Sequence, residues 1–360
     1  MVQQFRYIPA KINSSLKDLE ITEEILYWWP WVDNLKNKNI WLALAQSWKP
    51  DGTFPDIPPP GYEYYIISGD SLMFGFAEKI YEATGGKVIQ LSGPLVESDF
   101  TTDCIKYVPY TYDHQRIARI STQWPIAKDI KYKASALTNR LTQSKAIIFS
   151  ALSSLLDTAD FIGSLNYAHT KLKDVHNWEM SCNDICNTHT TNFICAWLDK
   201  KITLPNDDRI QGSYNNPAYQ NSALNFTQES YHYSYMTGIN GNSYIEPGPF
   251  LTEKTWKCIQ SKTAFIPVGQ YQSYAWLSQM GMKFDYGPLD LSFDQDPGNL
   301  TRLEKIVNLI QSLNQWTAQE LFEMTRDSCE HNYEHVSSQA FWKNCEKHNQ
   351  YAYELLNNIC

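Results

Sequence analysis

Residues 249–285 read PFLTEKTWKCIQSKTAFIPVGQYQSYAWLSQMGMKFD. Thr252 is a favourable helix N-cap, because its hydroxyl can take one of the amide hydrogens that a first helical turn leaves without a partner. The stretch predicts a helix opened by Thr252, an apolar strand over Thr263 to Val268, and a turn at Gly269. A second helix ending at Gly281 and a further short strand, Met282 to Phe284, complete it.

The charges at the head of the first helix carry the functional question. Glu253 suits the positive end of the helix dipole, whereas Lys254 opposes it by roughly a few tenths of a kcal/mol. A small local conflict of this kind is expected at a site rather than in a scaffold. One reading is a phosphate held by helix amides and Lys254, with the Glu253 carboxylate accepting bonds from ribose hydroxyls. The plain alternative is a surface turn of mixed charge.

Working outward, the pattern alternates. Glu63 to Ser68 reads as a strand, Leu72 to Ala83 as a helix stopped by Thr84-Gly85-Gly86, and Lys87 to Leu91 as the next strand. Cys104 to Tyr110 adds another strand. Upstream, ILYWWPWVDNL and IWLALAQSW form an early helix and strand, and the Pro/Gly-rich run KPDGTFPDIPPPG is a loop. Downstream of residue 129 come a strand over Lys131 to Leu137, a helix over Ala146 to Leu156, and a strand, Ser222 to Thr227, that leads to Glu229. Leu303, Ile306, Val307 and Ile310 make the apolar stripe of a helix spanning Leu300 to Leu313. Gln339 to Asn357 is a terminal helix. Strands separated by helices favour a parallel sheet with ligands at its carboxyl ends.

The run FLTEKTWK, followed by an apolar strand, a glycine turn and a helix, resembles the sugar-nucleotide-binding motif of alpha-1,3-fucosyltransferase-like enzymes. It is most similar to a set of related, mostly phage-encoded glycosyltransferases. The resemblance spans residues 130 to 156 and 222 to 285. It implies that Glu253 and Lys254, headed by Thr252, bind the ribose and phosphates of the donor. It also implies that Glu229, before the TEK helix, belongs to the donor pocket. In the family a strand is followed by Ser-Asn and then an Arg heading the next helix; here the pattern is Thr138-Asn139 and Lys145. A lysine keeps the charge but loses the planar fork that suits a diphosphate.

Composition sets the outer bounds. The 360 residues carry 43% hydrophobic side chains, 12 Trp, 23 Tyr and 15 Phe, enough for two domains with real cores. A net charge of −9 argues against a long basic groove for nucleic acid, though not against a local basic patch. There is no apolar run of the length needed to span a membrane, and the opening MVQQFRYIPAKINSS has no apolar core of a signal peptide. Eight cysteines are too dilute for a disulfide scaffold and read as thiols. The expectation is a cytoplasmic protein without a membrane partner, in the host cytoplasm if phage-encoded.

Glycosyl transfer needs charge offset on the departing diphosphate, a held sugar, and a base for the acceptor hydroxyl. Lys254, Lys145 and the helix opened by Thr252 supply the first. For the base, the candidates are Asp70 after the EYYIISG strand and Asp113-His114 after CIKYVPYTY, each with a structural reading beside it. Asp294-Gln295-Asp296 has the spacing of a metal-binding acidic pair but lies in a Pro/Gly loop. Cys182, Cys186, His189 and Cys195 supply four ligands within 14 residues, a candidate structural zinc site that lacks a CxxC knuckle; buried thiols are the alternative. His331-x3-His335 and Cys345-x2-His348 are weaker pairs of the same kind.

The expected fold is α/β, with two Rossmann-like domains facing a cleft (the GT-B type) and a C-terminal helix crossing back to the first domain. The expected boundaries are an acceptor domain over 1–128, a nucleotide-sugar domain over 129–338 with an insertion at 160–217, and a bridging helix over 339–360. The resemblance implies an inverting glycosyltransferase that requires no metal cofactor and uses a nucleoside-diphosphate sugar as co-substrate. Its acceptor would be a hydroxymethylated base, or an attached sugar, of phage DNA. A glycan or small-molecule acceptor is the alternative, as are a non-catalytic nucleotide-binding protein and a zinc-stabilised binding module.

Overall fold

The structure, a computed structural model, describes residues 11–35, 38–46, 55–69, 76–92, 102–109, 128–138, 143–165, 217–229, 235–237, 243–245, 249 and 251–358. The chain divides into two compact units. Both are mixed α/β, each built on a parallel-rich sheet.

The first unit carries a five-stranded sheet in the order β1 (Ile12–Ser15), β2 (Ile40–Gln46), β3 (Tyr64–Gly69), β4 (Lys87–Ser92), β5 (Ile105–Pro109). The pairs β2–β3, β3–β4 and β4–β5 are parallel. The edge strand β1 pairs antiparallel with β2, a departure from the all-parallel expectation. Alternation explains why these strands are apolar on both faces. Ile66, Ile89, Leu91 and Val108 face a core shared with Trp28, Trp29, Trp31 and Val32. Those aromatics come from α1 (Glu23–Trp28) and the 3₁₀ turn Pro30–Leu35. Tyr65, Ile67 and Val88 face the other way, against Phe76, Ala77 and Ile80 of α2 (Phe76–Thr84). Gly85, at φ +68, ends α2 in a conformation that glycine adopts without cost.

The second unit contains α3 (Gln143–Leu155), α4 (Pro217–Gln220), α5 (Glu253–Gln260), α6 (Ser273–Gln279), α7 (Asn299–Ser312) and α8 (Ala318–Ser337). Its sheet runs β11 (Ala264–Val268), β8 (Ser222–Gln228), β6 (Tyr132–Thr138), β7 (Phe161–Leu165), and every pairing in it is parallel. β7 lies within the range expected as an insertion; its Gly163 leaves room for the rings of Phe161 and Phe149, which a Cβ would approach to 2.6 and 3.1 Å. A two-stranded ladder of β9 (Tyr235–Thr237) and β10 (Ser243–Ile245) stands apart from both sheets, and β10 belongs to the first unit.

In chain order the sheet of the second unit reads fourth, third, first, second, so the winding reverses between β6 and β8. Right-handed crossovers running in opposite directions place α3 and α5 on opposite faces. The last helix, α9 (Gln339–Asn358), lies mostly in the first unit, where Ala352 and Leu356 join the core. At its start, Phe341 belongs to the second unit and packs edge-on against Trp256.

One expected strand is absent. Met282 to Phe284 pairs with no strand among the described residues, because side chains of α8 take its backbone groups instead. Asn332 accepts from the Lys283 amide and donates to the Lys283 carbonyl, both at 2.7 Å. Ser328 does the same for Asp285, at 3.0 Å each way. β11 is thus the edge of the sheet. The outward groups of its Phe265 are met by tyrosines: the amide donates to Tyr286 Oη at 3.4 Å and the carbonyl accepts from Tyr274 Oη. Pro267, two residues on, has no amide hydrogen.

Candidate donor site

In an open parallel sheet the point where the winding reverses, here between β6 and β8, is where a ligand would sit, at the carboxyl ends of the strands. The chain leaving β6 enters α3, whose third residue is Lys145, and the chain leaving β8 reaches α5, whose second residue is Lys254. Lys145 sits in the first turn of the helix, and at 5% exposed it is buried rather than solvated. Each helix thus carries a lysine in the first turn, where unpaired amides already favour an anion.

Glu229 organises the head of α5. It follows β8 directly and is 1% exposed. Its Oε2 accepts from the Thr252 amide at 3.1 Å and from the Thr252 hydroxyl, and its Oε1 accepts from the Thr255 hydroxyl at 2.6 Å. The Thr252 hydroxyl in turn accepts from the amide and the Nζ of Lys254, at 3.4 and 2.9 Å. Lys254 Nζ lies 4.0 Å from the Glu229 carboxylate, with the lysine side chain 28% exposed. The predicted N-cap at Thr252 is present, but a buried carboxylate of the chain, rather than Thr252 alone, closes the helix end. Glu229 works inward on Thr252 and Thr255, and through Thr252 it holds the ammonium of Lys254. The backbone of Glu253 opens α5, while its side chain lies outside what the structure describes.

Asn139, Asp70, Asp113, His114, Cys182, Cys186, His189 and Cys195 lie outside the described residues. Of the predicted donor residues, the structure brings Glu229, Thr252 and Lys254 into one network. Lys145 stands at the head of the helix that follows the neighbouring strand.

Of the acidic pair, Asp294 is buried and Asp296 is half-buried. Asp294 caps α6, accepting from the amides of Tyr274 and Ala275 at 3.0 and 3.2 Å, and its burial holds its carboxyl above the usual carboxylate range. Asp296 accepts from Gly298 and Thr301 at the head of α7 and pairs with Lys305 at 2.7 Å. The two carboxylates serve two different helices. His331 and His335 stack in parallel on α8 and point Nε2 at the Gly281 and Met280 carbonyls, 3.1 and 2.7 Å away, where α6 ends. Their i, i+4 spacing serves a helix C-terminus. Among the described residues no group of three or more His, Cys, Asp and Glu is placed to hold a metal ion.

Sequence reasoning missed three residues here. Thr255 looked like an ordinary helical residue, although TEKT places a second hydroxyl one turn inside the cap. Arg302 is fully buried and ties the turn after β11 to α7, donating to the Gly269 and Asp296 carbonyls at 3.1 and 2.8 Å and to Asn299 Oδ1 at 3.2 Å. Gln228 ends β8 on the face that carries Leu224 and Phe226, so it interrupts an otherwise apolar alternation, a signal visible in SALNFTQ.

No family model, curated protein or solved structure matches the chain. No helix among the described residues is long and apolar enough to cross a membrane.

Proposed function

We propose that the second unit binds a nucleoside-diphosphate sugar at the carboxyl ends of β6 and β8, and that the protein is a glycosyltransferase. One observation carries the reading. At the reversal of winding, two adjacent strands each lead into a helix with a lysine in its first turn. Such a pair of cationic helix ends suits a diphosphate. In the reaction the acceptor oxygen attacks the anomeric carbon, and the bond from that carbon to the phosphate oxygen breaks. The nucleoside diphosphate leaves with the electron pair, its charge offset by Lys254, Lys145 and the helix ends. The acceptor proton passes to a base, for which Asp70, Asp113 and His114 are the candidates from sequence. The proposal includes the GT-B arrangement of two Rossmann-like domains. It also includes inversion without a metal cofactor and, as acceptor, a hydroxymethylated base or attached sugar of phage DNA.

The test is a thermal-shift panel of UDP, GDP, CDP, ADP and their sugars on the wild type and Lys254→Ala. A ligand at a hundredfold over its Kd stabilises by about 2.7 kcal/mol. One nucleotide family should shift the wild type and leave Lys254→Ala unmoved. If no nucleotide shifts the wild type, the donor-site reading fails. If a donor binds but is never turned over across hydroxymethylated DNA, glycan and small-molecule acceptors, the enzyme reading fails and a nucleotide-binding protein remains.

A further inference from the structure

Gln228 is 1% exposed, and neither the Oε1 nor the Nε2 of its side chain has a hydrogen-bond partner in the structure. Its neighbours on β8 are satisfied. Asn225 donates to Ser135 Oγ at 2.8 Å, and Thr227 donates to Asn225 Oδ1 at 3.0 Å. Polar groups on the other face of the same strand are thus paired by the fold itself. Leaving both ends of a carboxamide unpaired in the interior is costly, and a leucine or methionine of similar volume would avoid the cost.

The position is specific. Gln228 is the last residue of β8, beside the reversal of winding. Thr227 faces Cys258 of α5, so alternation puts Gln228 on the opposite face, the one to which α3 and Lys145 belong. Glu229, the next residue, holds the head of α5 and Lys254.

We infer that Gln228 is a specificity-determining residue of the donor site, recognising the uncharged part of the nucleotide sugar. The inference rests on the donor-site reading and adds the part that the lysines do not explain. A phosphate at neutral pH offers acceptors only and would satisfy Nε2 while leaving Oε1 bare. The partner of a complete carboxamide must present a donor beside an acceptor. Two parts of the ligand have that chemistry: the amide-like edge of a nucleobase and a vicinal diol of a sugar.

Titration calorimetry on the wild type, Gln228→Leu and Gln228→Met distinguishes them. The probes are inorganic pyrophosphate, UDP, GDP, CDP and ADP, with UDP-glucose and GDP-mannose. Both variants should melt above the wild type when free of ligand, and both should bind pyrophosphate within twofold of it. Affinity for the preferred nucleotide should fall at least tenfold. A loss already present with the nucleoside diphosphate assigns the amide to the base or ribose. A loss confined to the sugar nucleotide assigns it to the transferred sugar. If the wild type binds a nucleotide and both variants bind it equally well, this inference is overturned while the donor site stands. If the wild type binds pyrophosphate but gains nothing from any nucleoside or sugar, the inference is likewise overturned. A wild type that binds none of the probes overturns the donor site itself.

Discussion

Replacing Glu229 with alanine tests whether a buried carboxylate, and not the helix cap alone, holds the head of α5. The side chain is fully shielded from solvent and accepts three hydrogen bonds, from one amide and two hydroxyls of Thr252 and Thr255. Hydrogen bonds to a charged group are worth about 1.5–3 kcal/mol each when net of desolvation. The two hydroxyls can turn to other acceptors after the substitution, whereas the amide cannot, so the sum is reduced. A loss of about 4 kcal/mol remains, near the cost of breaking a buried charged pair. Glu229→Gln keeps one acceptor oxygen and should lose about 2 kcal/mol. Urea unfolding followed by tryptophan fluorescence reads both, with the slope unchanged and the midpoint lowered. A double-mutant cycle with Thr255→Val should return a coupling of about 1 kcal/mol or more, since the two groups touch at 2.6 Å. A midpoint for Glu229→Ala within about 1 kcal/mol of the wild type would refute the argument. The head of α5 would then be held by Thr252 and packing, and Glu229 would be available to a ligand.

Two further outcomes follow from the same structure. Asn332→Ala deletes both bonds to the Lys283 backbone and should lower stability by about 2 kcal/mol, with Asn332→Asp recovering only the bond accepted from the amide; equal melting of all three would sink the substitute-strand account. Burial lowers the Lys128 ammonium to about 8, so the folded state binds its proton more weakly than the unfolded chain does. Stability from this group therefore rises with pH between about 8 and the ordinary lysine value. The buried thiols of Cys258 and Cys329, pushed up to about 12, act in the opposite sense above about 9. They cancel in a comparison with Lys128→Met, whose stability lead over the wild type should shrink by about 1 kcal/mol from pH 7 to 9; a constant difference would contradict it.

The sequence was legible where one face of an element decides its fate. β3, β4, β6, β8 and β11 all stand within a residue or so of their expected ends, because apolar runs bounded by glycine or polar turns admit few other registers. Thr252 was readable as a cap from chemistry alone. Glu229 and Lys145 were flagged by a family likeness and carry no local signal that separates them from solvated residues. What failed were features decided by tertiary partners. MKF has the composition of a strand, yet Asn332 and Ser328 of α8 satisfy its backbone. Asp294 and Asp296 look like a solvated loop until two helix ends are seen to converge on them. α8 itself opens on a Thr317/Glu320 capping box, a signal legible in the sequence.

The tyrosines at β11 govern what this sheet can become. An exposed edge strand is a template on which another chain can add by backbone hydrogen bonding. Here the outward groups of Phe265 are taken by Tyr286 and Tyr274, and Pro267 offers no hydrogen at the next outward position. Two phenols and an imino acid thus act as a selvedge, finishing the fabric so that it does not run on. Strand addition is blocked at this margin, and the buried aromatic hydroxyls that block it also belong to rings that pack the edge of the sheet.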